Sequence, residues 1–239
     1  MSAAADAIRG AIAEIYERGS IPTRSGGRWD VFPTGTSLEA ARALHDLVVD
    51  TGATRTIETG LGLGLSAAAI GEAVLRSGDP DARHTIIEPF PHSFDYAGTD
   101  LVTRLSETCP MRIFDRSSHV VLPELLSAGE RFGFAYIDGS HQFHGALIDL
   151  MYCLEMLEPG GLCVIDDHWM PAVMNAVSYV EVNLGVERVA TPVKDFLVLR
   201  RPDVFPPKRR WDHYEDFVLR TVSSEASCEI GTHTARETA

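Results

Sequence analysis

The sequence predicts a doubly wound α/β fold: a mostly parallel, seven-stranded sheet with helices on both faces and a helical extension ahead of it. Three observations lead there. From residue 55 onward, short apolar segments alternate with segments of helical spacing. The first apolar segment runs straight into the alternate-glycine turn Gly60-Leu61-Gly62-Leu63-Gly64. Two later apolar segments end in aspartate, at Asp138 and at Asp166-Asp167. Parallel neighbours need long crossover connections, and intervening helices supply them.

Residues 3–18 place Ile8, Ala11, Ile12, Ile15 and Tyr16 at helical spacing, which predicts an N-terminal helix, followed by a breaker-rich loop over 19–35. Ser37 is of the N-cap type, and 38–49 sets Ala41, Leu44, Leu47 and Val48 on one face, so a covering helix is expected there. Strands are then expected at 55–58, 84–88, 111–114, 134–138 and 162–166, separated by helices at 66–77, 93–108, 120–128 and 145–157. A helix at 173–184 precedes strands at 186–190 and 196–200, read as a hairpin-like terminal pair. Past Pro202 the pattern breaks. Pro206, Pro207, Lys208, Arg209 and Arg210 make a basic, proline-rich linker, a short helix is expected over 212–221, and 223–239 is polar enough to be partly disordered. The expected organisation is 1–36 covering the site, 37–202 carrying the sheet, and 203–239 trailing it.

Bulk properties narrow the function classes. With 239 residues, 45% of them hydrophobic, the chain can bury one substantial core. It carries 34 acidic against 21 basic residues, a net charge of -13, which opposes polyanions, so no nucleic-acid partner is expected. The opening residues lack a basic stretch followed by an apolar run, and no stretch approaches the roughly 20 apolar residues that cross a bilayer. No membrane association is expected, and a cytoplasmic location is. Cys109, Cys153, Cys163 and Cys228 lie far apart with no CxxC pair, which speaks for reduced thiols rather than a zinc knuckle or a disulfide framework.

Open α/β sheets bind ligands at the carboxyl ends of their strands. Gly60, Gly62 and Gly64 allow close backbone approach and positive φ there. Gly62-x-Gly64-x-x-Ala67 also satisfies a dinucleotide fingerprint, so the turn alone leaves NAD open. Glu58 closes the first strand at the turn, where a carboxylate repels a pyrophosphate and accepts hydrogen bonds from an ammonium or its bound water. S-adenosylmethionine has such a group and no phosphate. Glu88 ends the next strand, where its carboxylate suits the two hydroxyls of a ribose in either cofactor. The plain alternatives are a tight turn without ligand and a Glu58 that is only salt-bridged.

Tyr136-Ile137-Asp138-Gly139-Ser140-His141 and Val164-Ile165-Asp166-Asp167-His168 carry the strongest chemical signal. Neighbouring strands lie about 4.8 Å apart, so these aspartates would converge, and converging carboxylates repel unless a cation sits between them. Oxygen ligands without paired cysteines favour Mg²⁺ or a similar ion over zinc, with Asp138, Asp166 and Asp167 as ligands. Such an ion holds a substrate hydroxyl and lowers its pKa. His141, three residues after Asp138, is the candidate general base. The alternatives are that the aspartates only cap the following turn and helix, and that His141, His144 and His168 are polar neighbours. Trp29, Trp169 and Trp211 fit packing roles, with Trp169 the best placed to touch a substrate.

Taken together these residues resemble class I S-adenosylmethionine-dependent methyltransferases, whose fold is Rossmann-like: Ile57-Glu58-Thr59-Gly60-Leu61-Gly62-Leu63-Gly64-Leu65-Ser66 looks like their first motif. Residues 34–200 look like the metal-dependent O-methyltransferases, including the catechol type and the macrocin type, a grouping that also contains cephalosporin-hydroxylase-like proteins. The resemblance implies Glu58, Gly60, Gly62, Gly64 and Ser66 around the methionine part of the cofactor and Glu88 on its ribose. It implies adenine contacts from Ser117, Ser118 and His119, because Arg116-Ser117-Ser118-His119 ahead of Leu122-Pro123 matches the family segment, although the family usually has glycine where Arg116 stands. Thr36 falls where the family closes over the cofactor. Macrocin-type enzymes are similar in carrying histidine at the position of His141, whereas catechol-type enzymes have lysine there.

The expected activity is Mg²⁺-assisted transfer of a methyl group from S-adenosylmethionine to a hydroxyl of a small molecule, a sugar or phenol of a secondary metabolite. Asp138 and His141 would be catalytic, with Asp138 also touching the cofactor. Three rivals stay open: a metal-free N- or O-methyltransferase, an NAD-dependent oxidoreductase, and a non-catalytic binding protein. Self-association into a homodimer or higher oligomer is expected from apolar and aromatic faces on the N-terminal helix and on 206–221.

Overall fold

The computed structural model describes residues 3–217 apart from 108, 192 and 195. Five adjacent parallel strands make up most of a seven-stranded sheet: β3 (Arg55–Thr59), β4 (Arg83–Ile87), β5 (Met111–Phe114), β6 (Phe132–Ile137) and β7 (Leu157–Ile165). They are joined by α3 (Leu65–Arg76), α4 (Ala97–Leu105), α5 (Ser118–Ser127) and α6 (Phe143–Met156). After α7 (Pro171–Leu184) come β8 (Glu187–Val189) and β9 (Leu197–Arg200); β9 runs antiparallel to both β7 and β8. The strand order is β5-β4-β3-β6-β7-β9-β8. The chain therefore winds outward from β3 in one direction and from β6 in the other, and the crevice between their carboxyl ends is the switch point where such sheets bind ligands.

Side chains alternate across the sheet with the period of two that a strand imposes. Along β6, Phe134 and Tyr136 pack with α2 (Leu38–Thr51) and α3, while Ala135 and Ile137 pack with α5, α6 and α7. Both faces are apolar, which is why these strands read as continuous hydrophobic runs. Leu44, Ile57, Ile70 and Phe134 are all fully buried, and each stabilises the fold by roughly 1.5–3 kcal/mol.

The cover over the crevice is built from the N-terminal segment. In α1 (Ala3–Arg18), Ile8, Ile12 and Ile15 bury against Leu63, Leu65 and Leu101. The Arg9 guanidinium meets the buried Glu72 of α3 at 2.6 Å, and the Tyr16 hydroxyl donates to the Thr36 carbonyl at 2.7 Å. α2 follows, capped by the Ser37 hydroxyl, which accepts from the Ala40 amide. The stretch 19–35 is less irregular than its composition implied. β1 (Ser20–Pro22) and β2 (Arg28–Asp30) pair as a short antiparallel hairpin.

That hairpin explains one departure from the sequence reading. The helix expected over 93–108 is broken at Asp95 and Tyr96, both at positive φ (45° and 59°), into a 3-10 turn at Pro91–Phe94 and then α4. The Asp95 carbonyl and carboxylate accept from the Arg24 and Ser25 amides, and the Arg24 guanidinium stacks 3.8 Å over the Tyr96 ring. Long-range contacts thus override a local helical pattern. Residues 212–217 form no helix; the rest of the segment expected to be helical, and the polar stretch 223–239, lie outside the described residues. Cys109, Cys153 and Cys163 are buried free thiols, and Cys228 lies outside the described residues. Among the described residues no helix is long and apolar enough to cross a membrane.

Candidate active site

The glycine turn leaves β3 under tight constraint. Gly60 has φ 86°, and a Cβ there would lie 2.1 Å from the Asp138 carbonyl oxygen, because β6 exits alongside β3. At Gly64 (φ 78°) a Cβ would lie 3.1 Å from the Cα of Gly98 in α4, and a Cβ on Gly98 would lie 2.3 Å from the Gly62 carbonyl oxygen. Only glycines tolerate this backbone-on-backbone packing. Gly62 differs: nothing lies within 4 Å of its missing side chain, so its open side borders the cavity. Gly98 escaped the sequence reading; a lone glycine inside a helical pattern was its only signal.

The two glutamates divide the work. Glu58 is fully buried; its Oε1 accepts from the Ser66 hydroxyl at 2.5 Å and its Oε2 meets His84 Nε2 at 2.9 Å, with Thr56 Oγ1 2.8 Å from His84 Nδ1. Glu58, Ser66 and Gly64, expected around the methionine part of the cofactor, are not among the residues that line the cavity. Glu88 does line it. Its Oε2 accepts from the Leu61 and Gly62 amides at 3.0 and 3.3 Å, and its Oε1 from the Phe90 amide at 2.7 Å. Oε1, with a single donor, still has a lone pair to offer.

The cavity measures about 1130 Å³, at the upper end of the roughly 300–1000 Å³ typical of ligand sites and large enough for two small molecules side by side. Its lining includes Thr36, the turn residues Gly60 and Gly62 with Glu88, and Ser117, Ser118 and His119. Asp138, His141, Asp166, Asp167 and Trp169 line it as well.

The acidic edge arises from strand register. Ile137 pairs with Thr59 on one side and Ile165 on the other, so Asp138 and Asp166 leave the sheet at the same level. One oxygen of Asp138, one of Asp167 and a ring nitrogen of His141 lie within 4.8 Å of one another. His141 Nε2 stands 2.9 Å from Asp167 Oδ2 and 4.0 Å from Asp138 Oδ1. Trp169 Nε1 donates to the other oxygen of Asp167 at 2.9 Å. Asp166, expected as a third ligand, faces elsewhere: its Oδ2 accepts from the Tyr136 hydroxyl at 2.5 Å and its Oδ1 from the Asp167 amide at 2.7 Å. Tyr136 Oη also lies 3.4 Å from Asp138 Oδ2, so this fully buried phenol bridges two strand-end carboxylates.

Charge crowding shows in the protonation equilibria. Burial raises the Asp138 pKa and Asp166, Asp167 and Glu58 add to the rise, against a hydrogen bond from His141 that lowers it. Hydrogen bonds to Asp138 and Asp167 push His141 up to about 10. The same His141 contact holds Asp167 below the ordinary range. The cluster therefore favours a positive charge at its centre.

Comparison with known proteins now bears on the site. No curated protein sequence is significantly similar to the chain. Residues 57–168, from the middle of β3 to just past the acid pair, match the sequence model of a methyltransferase-domain family. The matched segment carries both the glycine turn and the acid pair, so the likeness falls on the residues around the cavity. Solved structures share the fold of this chain over most of its length. A methyltransferase of Podospora anserina, PaMTH1, bound to S-adenosylhomocysteine, is 17% identical with a TM-score of 0.61, covering 80% of this chain and 87% of that one. An O-methyltransferase from Bacillus cereus, also with S-adenosylhomocysteine, is 13% identical with a TM-score of 0.56 over 84% and 90%. TomG from Streptomyces achromogenes, an O-methyltransferase involved in tomaymycin synthesis and solved with S-adenosylmethionine, is 17% identical with a TM-score of 0.53 over 84% and 90%. At such identities the likeness establishes the fold alone.

Proposed function

We propose that this protein is a methyltransferase that draws its methyl group from S-adenosylmethionine and delivers it to a hydroxyl of a small molecule, assisted by a divalent cation such as Mg²⁺. One observation carries the reading: the glycine turn with Glu88 and the Asp138–His141–Asp167 cluster open into a single cavity. The cofactors named for the similar O-methyltransferases support the donor.

Gly60 and Gly62 present open backbone to the cofactor, Glu88 receives its ribose hydroxyls, and Asp138 attracts its ammonium. Thr36 closes over it, with Ser117, Ser118 and His119 on its adenine side. Asp138 and Asp167 fit a hard cation, with His141 or, after rotation away from Tyr136, Asp166 completing the set. Bound there, the ion would lower the pKa of an acceptor hydroxyl. His141 takes the proton. It is held as imidazolium by the two carboxylates, and once their charge is compensated by a cation it returns to the neutral form that accepts a proton. The acceptor oxygen then bonds to the methyl carbon as the carbon–sulfur bond breaks, leaving a methyl ether and S-adenosylhomocysteine.

A metal-free transfer is the second reading, favoured by the 2.9 Å contact of His141 with Asp167, since an imidazolium already compensates that carboxylate. Calorimetric titration with S-adenosylhomocysteine, then turnover on a panel of phenols and sugars with EDTA and with Mg²⁺ restored, tests both. Binding of the homocysteine together with EDTA inhibition reversed by Mg²⁺ is expected. EDTA-insensitive turnover transfers the case to the metal-free reading, and absence of binding removes the donor.

A further inference from the structure

One buried acid in the cavity is left over by this account. Asp149, in the second turn of α6, is 1% exposed, yet it lines the cavity, and its Oδ1 has no hydrogen-bond partner among the described residues. The Thr59 hydroxyl at the end of β3 is buried beside it. The two meet under Gly139, where a Cβ would lie 3.1 Å from Asp149 Oδ2 and 3.3 Å from Thr59 Oγ1. Burial raises the Asp149 pKa, and the hydroxyls of Ser118 and Thr59 and the nearby His119 work against that rise. A carboxyl oxygen withdrawn from water without a donor is among the most costly groups a fold can keep. A group of this kind facing a cavity calls for a ligand donor.

S-adenosylmethionine carries donors in three places. Its ammonium is drawn to the negative cluster around Asp138, and its ribose hydroxyls have Glu88. The exocyclic amino group of the purine remains. Asp149 stands beside Ser118 and His119, the residues assigned above to the adenine side of the cofactor. We propose that Asp149 Oδ1 accepts a hydrogen bond from the exocyclic amino group of the adenine ring and thereby selects a 6-amino over a 6-oxo purine, an inference that rests on the S-adenosylmethionine reading above. A 6-oxo purine would set a carbonyl oxygen against this acceptor, leaving both unsatisfied.

The test is calorimetric titration of the full chain with S-adenosylhomocysteine and with S-inosylhomocysteine, its 6-oxo counterpart. The unaltered protein should bind the adenosyl compound on the order of tenfold or more tightly than the inosyl compound. Asp149→Asn, whose amide offers a donor as well as an acceptor, should shrink that ratio towards unity. Equal binding of the two compounds by the unaltered protein overturns the proposal, and this measurement needs no variant to fold. The proposal is also overturned if Asp149→Asn keeps the original ratio, or weakens both compounds by one common factor, which is what a packing role produces. Failure of the unaltered protein to bind S-adenosylhomocysteine at all overturns the donor assignment instead.

Discussion

The turn after β3 and the acidic edge after β6 and β7 are neighbours in one sheet with opposite electrostatic designs. Behind the turn, Thr56, His84, Glu58 and Ser66 form a buried chain in which each polar atom named has a protein partner. At the edge, Asp138, Asp166 and Asp167 crowd together beside His141, and His141 and Asp167 are 44% and 27% exposed. The first arrangement satisfies itself and stiffens a backbone. The second stores unbalanced charge that an incoming cation would relieve. The contrast separates a scaffold from a reaction centre without reference to any ligand.

The largest expected effect lies at the centre of the edge. His141→Ala should lower turnover by about 10²- to 10⁴-fold, the usual contribution of a general base, while calorimetry shows S-adenosylhomocysteine affinity unchanged; an unaltered rate would remove His141 as the proton acceptor. Next comes the turn. Gly60→Ala forces a Cβ into the Asp138 carbonyl at a positive φ, and urea unfolding should show a loss of more than about 3 kcal/mol; a stability within about 0.5 kcal/mol of the parent would show that the turn relaxes freely.

Tyr136→Phe sharpens the comparison where the two regions touch, since the phenol ties Asp166 to Asp138 from within the core. A change in such a supporting contact should weaken Mn²⁺ binding, followed by paramagnetic titration, by roughly 10- to 100-fold. Unchanged Mn²⁺ affinity would confine Tyr136 to packing. Glu58→Gln swaps one carboxylate oxygen for an amide donor within the buried chain, and should cost about 1–3 kcal/mol of stability with little change in metal affinity; the reverse pattern would place Glu58 at the reaction centre.

The smallest effect is a pH dependence of the metal-free protein. Because the folded His141 pKa is raised to about 10, its ion pairs stabilise fully below the unfolded value near 6.5, and that contribution fades as pH rises through about 10. Thermal melts should show a downward slope over that window which His141→Gln flattens, and identical slopes would show that the pairs contribute nothing. Solvent screening keeps the effect small.

Much of the fold was legible because β6 and β7 are largely buried on both faces, so Phe134 and Val164 sit in apolar runs that a covered parallel sheet accommodates. The hairpin at β1 and β2 was not, since three-residue strands carry too few side chains to show a period. Of the cavity lining, Glu88 was singled out by its place at a strand end and Ser117–His119 by the family resemblance. Gly98 and Asp149 were not, because a helix position reveals nothing of what it faces across the fold.

By itself the sequence determined the alternation of strands and helices, the glycine turn and the gathering of acids at one edge, all consequences of local periodicity and chain order. Only the tertiary structure decided which atoms meet. It turned Glu58 inward to His84 and Ser66, Asp166 towards Tyr136, and His141 onto Asp167. Those choices depend on which donor lies within about 3 Å in space, and neither spacing nor residue type encodes that distance.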